Sequence, residues 1–369
     1  MERIILETLK KKPIVVYGSG SSFHWFFEIL YLKFRITPVL VVDQRLPRKS
    51  EFMGFSSSNT IDDLNPTIKK SDVVILVCIG SDKAFLDIMK LINAQGFTNV
   101  FPLHSLYEVH APFGGDFFKN EDRDALLKRA NRIFSHLGDS ESKLIFEKVF
   151  MTHSTRIPEQ VPMTDPRSQW FPDDLPFQLD YTRYLCAGVD DDHDRLSRIS
   201  SVFPDSCIFV EADHSKLDEF AFTVRSHPPL AKATFLLPLA LSDSVGLKPF
   251  FSANDSKSLA ARGHHTSFGS RIDDNGQDFV QTVTLNELFM SGSPTLVSMD
   301  IEGSEMAAIT GAGSLLVKFA PDLAISLYHY PEHIIDIPEF ILNLDVPYRI
   351  YIRNYTGFVA ETVLYASIR

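Results

Sequence analysis

Three carboxylates, Asp300, Glu302 and Glu305, fall within six positions of the stretch TLVSMDIEGSEMAAITGAG at 295–313. The stretch begins with a strand pattern and ends with a helix pattern. On a strand, Asp300 and Glu302 share a face through the period of two, and Gly303 lets the chain turn into a helix whose Ala308, Ile309 and Ala312 pack inward. Both acids then point into the crevice above a sheet, where they can bind a cation, polarise a hydroxyl or cap the helix. Glu305, in the first helical turn, has a sufficient explanation in the helix dipole. His329 follows the strand LAISLY and faces the same crevice. Its near-neutral imidazole suits a general base for a hydroxyl, or equally a packing residue in a loop.

Other candidates also sit at strand ends. In Cys186-Ala187-Gly188-Val189-Asp190-Asp191-Asp192-His193, Gly188 permits close backbone approach to a ligand and the next helix offers free N–H groups. The three aspartates serve as well to cap that helix without any ligand. Glu211 ends the strand CIFVEAD, where a carboxylate can take both hydroxyls of a ribose, and Asp213 reads as a second site acid or as a helix cap. Near the start, Gly18-Ser19-Gly20-Ser21-Ser22-Phe23 keeps two glycines of the dinucleotide fingerprint, and Asp43 ends the following strand. That region reads as a nucleotide site or as a glycine-eased turn with a solvated acid. His264 and His265 form a weaker pair for a metal, and no metal ligand set is assigned.

The elements that must position these residues alternate. From Pro13 come an apolar strand, a glycine turn, a helix to about Phe34 and the strand VLVVD, followed by a polar loop, the run DVVILVCIG, a helix capped by Gly96 and the strand NVFPL. Residues 120–150 have helical periodicity broken at LGDS, and the next thirty lack clear period. From Tyr181 a second alternation follows: strands TRYLCAG, CIFVEAD and TFLLPLALSD, a long polar segment, strands FVQTVTL and TLVSMD, a helix to Lys318, strand LAISLYH, helix IPEFILNL and two closing strands. The expected fold is α/β with two tandem Rossmann-like doubly wound sheets. The domains are placed at 1–115, at 116–175 for a helical connector and lead-in, and at 176–369.

Composition narrows the class. The chain has 369 residues, 44% of them hydrophobic, and a net charge of −11, a balance that suits a globular protein and argues against a general nucleic-acid binder. Neither a secretion signal nor a run of about 18 apolar residues is visible, so a cytoplasmic protein without a membrane span is expected. The widely spaced Cys78, Cys186 and Cys207 imply buried, reduced thiols.

Taken together, DIEGSEMAAITGAGSLL, PDLAISLYHYPEHIIDIPEFILNL and YRIYIRNYTGFVAETVLYA resemble the FkbM-type S-adenosylmethionine-dependent methyltransferases over about residues 145–369. The resemblance implies a second sheet of the class I methyltransferase type with an antiparallel C-terminal strand, preceded by an added Rossmann-like domain. It also implies S-adenosylmethionine as cofactor and O-methyl transfer to a hydroxyl of a sugar, glycan or related small molecule. Carried onto this chain, the cofactor loop is Cys186, Gly188, Asp191 and Asp192; Glu211 is the ribose acid, with Asp213 beside it; Leu241 and Ser242 lie near the adenine. Asp300 and Glu302 sit beside the reacting groups, with His329 as the base. Cys186 stands where the family pattern has an acid and Asp192 where it has a glycine, so a non-catalytic relative that binds a sugar nucleotide or a partner is the alternative. An NAD-dependent oxidoreductase built on the first domain is a third reading, and a homo-oligomer is left open.

Overall fold

The computed structural model describes residues 9–20, 23, 26–33, 35–78, 82–102, 122–155, 161–189, 193–252, 270–274, 276–289, 292–357 and 359–369. Expectations placed on Asp190, Asp191, Asp192, His264 and His265 lie outside the described residues. The chain divides into two compact units, Met1–Asp116 with Thr155–Pro158, and Phe117–Ser154 with Glu159–Arg369.

In the first unit, β1 (Ile14–Tyr17), β2 (Leu40–Val42), β3 (Ser50–Phe52), β4 (Phe55–Ser58), β5 (Val74–Val77) and β6 (Val100–Pro102) form one sheet in the order β3-β4-β2-β1-β5-β6. All neighbours are parallel except β3 and β4. The apolar runs IVVY and VILV are buried along their whole length, as strands covered on both faces require. Two expectations change. The helix expected to reach Phe34 is a π-type segment, Phe26–Lys33, and the loop read as merely polar after Asp43 contains the β3–β4 hairpin. Phe52 and Phe55 of that hairpin pack edge-on against Phe23, at ring-centroid distances of 5.0 and 6.4 Å. Phe23, at the position of the fingerprint's third small residue, is therefore a core side chain.

The second unit carries β7 (Arg183–Ala187), β8 (Ser206–Val210), β9 (Thr234–Leu237), β10 (Ala240–Leu241), β11 (Gly246–Phe251), β12 (Arg271–Ile272), β13 (Asp278–Val283), β14 (Leu296–Met299), β15 (Asp322–Ser326), β16 (Arg349–Asn354) and β17 (Thr362–Ser367). Seven of them make a sheet in the order β16-β17-β15-β14-β7-β8-β9. From β15 to β9 the neighbours are parallel, and β17 runs antiparallel to both β15 and β16. A separate four-stranded sheet has the order β10-β13-β11-β12. The single strand expected over TFLLPLALSD is thus divided. Pro238 lies between the halves, and a proline lacks the N–H that a continuing ladder needs, so β9 stays with the large sheet and β10 joins the small one. The small sheet also draws β11 from the expected polar segment.

The helix expected to run to Lys318 is two short ones, Glu305–Thr310 and Gly313–Phe319. The helices of the expected connector, Arg123–His136 and Ser140–Thr155, belong to the second unit but for Thr155, and buried and half-buried ion pairs fasten this region. Arg129 pairs with Asp336 at 2.6 Å and Glu339 at 2.7 Å; Arg353, 1% exposed on β16, pairs with Asp139 at 2.8 Å and with Asp174. All three cysteines are free and buried. Among the described residues no helix is long and apolar enough to cross a membrane.

Candidate functional site

At the centre of the large sheet, β7 has β8 on one side and β14 on the other, so successive connections leave in opposite directions and a crevice opens at the strand ends. A cavity of about 390 Å³ fills it. Gly188 closes β7 with φ +83°, and its N–H donates to the Val210 carbonyl at 2.9 Å. A Cβ at this position would lie 1.8 Å from the Asp300 carbonyl oxygen. The glycine is thus demanded first by the crossing of the β7 and β14 ends, and only secondarily by any ligand.

Asp300 and Glu302 both line the cavity, but not through a shared strand face. β14 ends at Met299, and Glu302 has φ +52° with Gly303 at +99°, so a left-handed reversal aims the second acid into the cavity. Asp300 Oδ1 accepts the Tyr328 hydroxyl at 3.0 Å. His329 Nε2 lies 3.5 Å from that oxygen and 3.6 Å from Glu302 Oε2, while Nδ1 contacts Glu305 Oε1 at 2.8 Å. Burial pushes the imidazole pKa down, but Glu305, Asp300 and Glu302 overcome it and raise it to about 10. A raised pKa favours the protonated ring, which does not suit the general-base role expected of His329. Burial raises the Asp300 and Glu302 carboxyls, an effect that His329 opposes.

Glu305 departs furthest from its sequence reading. It is fully buried, with Oε1 accepting the Ile301 N–H at 2.8 Å and Oε2 standing 3.4 Å from His333 Nδ1. Burial opposes its ionisation, yet the contacts with His329 and His333 and the Ile301 N–H hold its pKa below the ordinary carboxylate value. A helix-dipole role explains none of these contacts.

Also lining the cavity, Glu211 accepts the Asp213 N–H at 2.7 Å on one oxygen and the Val189 N–H at 3.2 Å on the other. These bonds fix the carboxylate while leaving a lone pair on each oxygen; burial raises its pKa. Leu241 lines the cavity with Phe250 and Ile272 beside it. Three expected cofactor residues do not line it. Asp213 caps the helix His214–Arg225 through Ser215 N–H at 3.0 Å and accepts the hydroxyls of Ser215, Ser252 and Ser270; burial raises its pKa, but these donors, Ser215 first, hold it at about 2. Ser242 is fully buried and accepts from Lys248 at 2.7 Å. Cys186 turns its thiol toward the Gly188 carbonyl at 3.1 Å and receives Arg195 Nη2 at 3.0 Å.

Arg195 and Glu361 are among the cavity residues that the sequence reading missed. Arg195 lies 4.4 Å over the Trp170 ring and contacts Tyr184, Cys186 and Ser298. Glu361, with φ +50°, accepts Gln169 Nε2 at 2.6 Å, and burial together with the nearby Asp300 lifts its pKa to about 7. The ETVLYA string contained Glu361, but as a strand-start acid it gave no sign of facing a cavity. In the first unit, Asp43 is occupied by its own chain: Ser19 donates through N–H and hydroxyl, each at 2.8 Å, and Arg45 pairs at 2.7 Å.

Residues 203–350 match the family model of the methyltransferase FkbM domain, a segment that includes Glu211, Leu241, Asp300, Glu302, Glu305 and His329. The crystal structure of a methyltransferase FkbM from Methylobacillus flagellatus KT is similar in fold, with a TM-score of 0.70 at 17% identity over 98% of this chain and 92% of that one. No curated protein matches the chain.

Proposed function

We propose that the chain is an S-adenosylmethionine-dependent methyltransferase whose acceptor is a hydroxyl of a sugar, glycan or related molecule. The observation that supports this most is that one cavity is lined both by Glu211 with the apolar Leu241, Phe250 and Ile272 and by the carboxylates Asp300, Glu302 and Glu361. The first group fits a nucleoside: the fixed Glu211 carboxylate takes a ribose diol, and the apolar side chains take the base. The second group is rich in carboxylates, which suits both a sulfonium cation and a polyhydroxylated acceptor. When bound, the cofactor supplies an electrophilic methyl group. The residues of the chain hold the acceptor oxygen in line and take its proton on a cavity carboxylate, a task of positioning more than covalent chemistry.

A second reading, binding without turnover, has one specific observation behind it. At the end of β7 the family acid is replaced by Cys186, a buried thiol engaged with Arg195. Calorimetry with S-adenosylmethionine, S-adenosylhomocysteine and NAD, followed by transfer of a labelled methyl group to a set of methyl hexopyranosides, tests both. Binding of the first two ligands with transfer supports the enzyme, and binding without transfer supports the second reading. Failure of both to bind removes the cofactor assignment.

A further inference from the structure

Among the described residues, the carboxylates that line the cavity are those of Glu211, Asp300, Glu302 and Glu361. Three of them are already engaged. Glu211 is fixed by the Asp213 and Val189 N–H groups, and Asp300 and Glu302 stand 3.5 and 3.6 Å from Nε2 of the His329 ring. A cation so close makes a carboxylate a weaker proton acceptor. Glu361 differs. Among the described residues it has no ion pair, and the neutral Gln169 amide donates to its Oε2 at 2.6 Å. Lone pairs remain on both of its oxygens.

Its backbone points the same way. Glu361 stands just before β17 with φ +50°, a left-handed conformation that strains a residue with a Cβ and that glycine would adopt freely. A glutamate in that turn puts a carboxylate on the cavity. Burial and then the charge of Asp300, beyond β14, lift its pKa to about 7; Gln169 from the lead-in and Tyr328 and His329 from beyond β15 act to lower it. The Tyr328 hydroxyl has a single proton, and it is given to Asp300 at 3.0 Å. A carboxyl that titrates near the working pH can both accept a proton and release it to water.

We propose that Glu361, oriented by Gln169, is the catalytic base of the cavity and takes the proton of the acceptor's sugar hydroxyl. As the acceptor O–H bond breaks, its proton passes to a Glu361 oxygen. The electron pair of the acceptor oxygen forms the new O–C bond to the methyl group, and the pair of the broken S–C bond stays on sulfur. Asp300 raises the basicity of Glu361 through its charge. This assignment rests on the methyltransferase reading and names the carboxylate that reading requires.

One arm of the test needs no cofactor. Infrared titration of the unliganded chain, following the carbonyl band of protonated carboxyls, should show a group titrating at about 7. That group should vanish in Glu361→Gln and move to lower pH in Asp300→Asn, which lacks the charge that raises it. In the other arm, single-turnover methyl transfer to methyl hexopyranosides should rise with pH through the same value. Glu361→Gln should lower it by about 10²–10⁴ and abolish the rise, whereas Asp300→Asn should keep a rise displaced to lower pH. Glu361→Gly, which relieves the left-handed strain, replaces the glutamine variant if that one fails to fold. A titration that survives the loss of Glu361, or a rise abolished by Asp300→Asn and kept without Glu361, overturns the assignment and leaves the methyltransferase reading standing. A wild-type chain that binds S-adenosylhomocysteine but methylates no hexopyranoside loses the acceptor reading and the base together.

Discussion

Asp43 in the first unit and Glu211 and Asp300 in the second stand at equivalent places, each at or just beyond the carboxyl end of a parallel strand. Their surroundings differ. Asp43 is saturated by Ser19 and Arg45, and the Arg45 guanidinium is the chief cause of a pKa well below the usual carboxylate range. Glu211 and Asp300 face a cavity and are pushed upward by burial instead. A strand-end acid is therefore not a site by virtue of its position. What matters is whether the protein's own donors have already consumed its oxygens.

The comparison breaks most sharply at Asp300. With an acceptor that the wild type methylates, Asp300→Asn should lower single-turnover transfer by about 10²–10⁴ while S-adenosylhomocysteine affinity and the melting temperature stay near wild type. A variant that melts earlier yet transfers normally would make Asp300 another Asp43. Next in size is Gly188→Ala, which sets a Cβ against the Asp300 carbonyl and strains a φ of +83°. Denaturant unfolding should show a loss on the order of 3 kcal/mol, and unchanged stability would mean that the two strand ends part easily.

Glu211→Ala should weaken S-adenosylhomocysteine binding by about 1.5–3 kcal/mol, the range for hydrogen bonds to a charged group. An unaltered affinity in a folded variant would remove Glu211 from the cofactor site. The smallest effect belongs to Asp43. Its folded-state pKa is depressed, so its contribution to stability is present above the unfolded value of about 4 and is lost as pH falls below it. Asp43→Asn should cost about 1 kcal/mol at pH 7, flatten that acid-side decline in melting temperature and leave cofactor affinity unchanged. A drop in S-adenosylhomocysteine affinity would mean that Asp43, like Glu211, serves the cofactor.

Continuous apolar runs made the parallel strands legible: IVVY, VILV, RYLCA and LVSM are strands wherever they pack, because both faces are covered. The β3–β4 hairpin and the four-stranded sheet were not legible. Strings such as FSSS and GLKPFF lack a clean alternation, and their pairing is decided by distant partners. The same limit governs the site. Glu211, Asp300 and Glu302 could be picked as strand-end acids, but Glu305 needed the knowledge that the loop after β15 returns over its helix, and Glu361 that β17 begins beside Tyr328. Asp213 and Ser242 failed as cavity residues because other segments of the chain, through Ser252, Ser270 and Lys248, engage them first.

Two of the cavity's glutamates, Glu302 and Glu361, hold left-handed backbone conformations that cost a side-chain-bearing residue about 1 kcal/mol or more each. Glycine or asparagine at either place would relieve that cost. Selection for heat resistance acting on this chain would therefore be drawn to the two positions where carboxylates face the cavity, and a library enriched by melting temperature alone would erode the wall it was meant to preserve. In a stabilised variant, positions 302 and 361 are the ones to hold fixed.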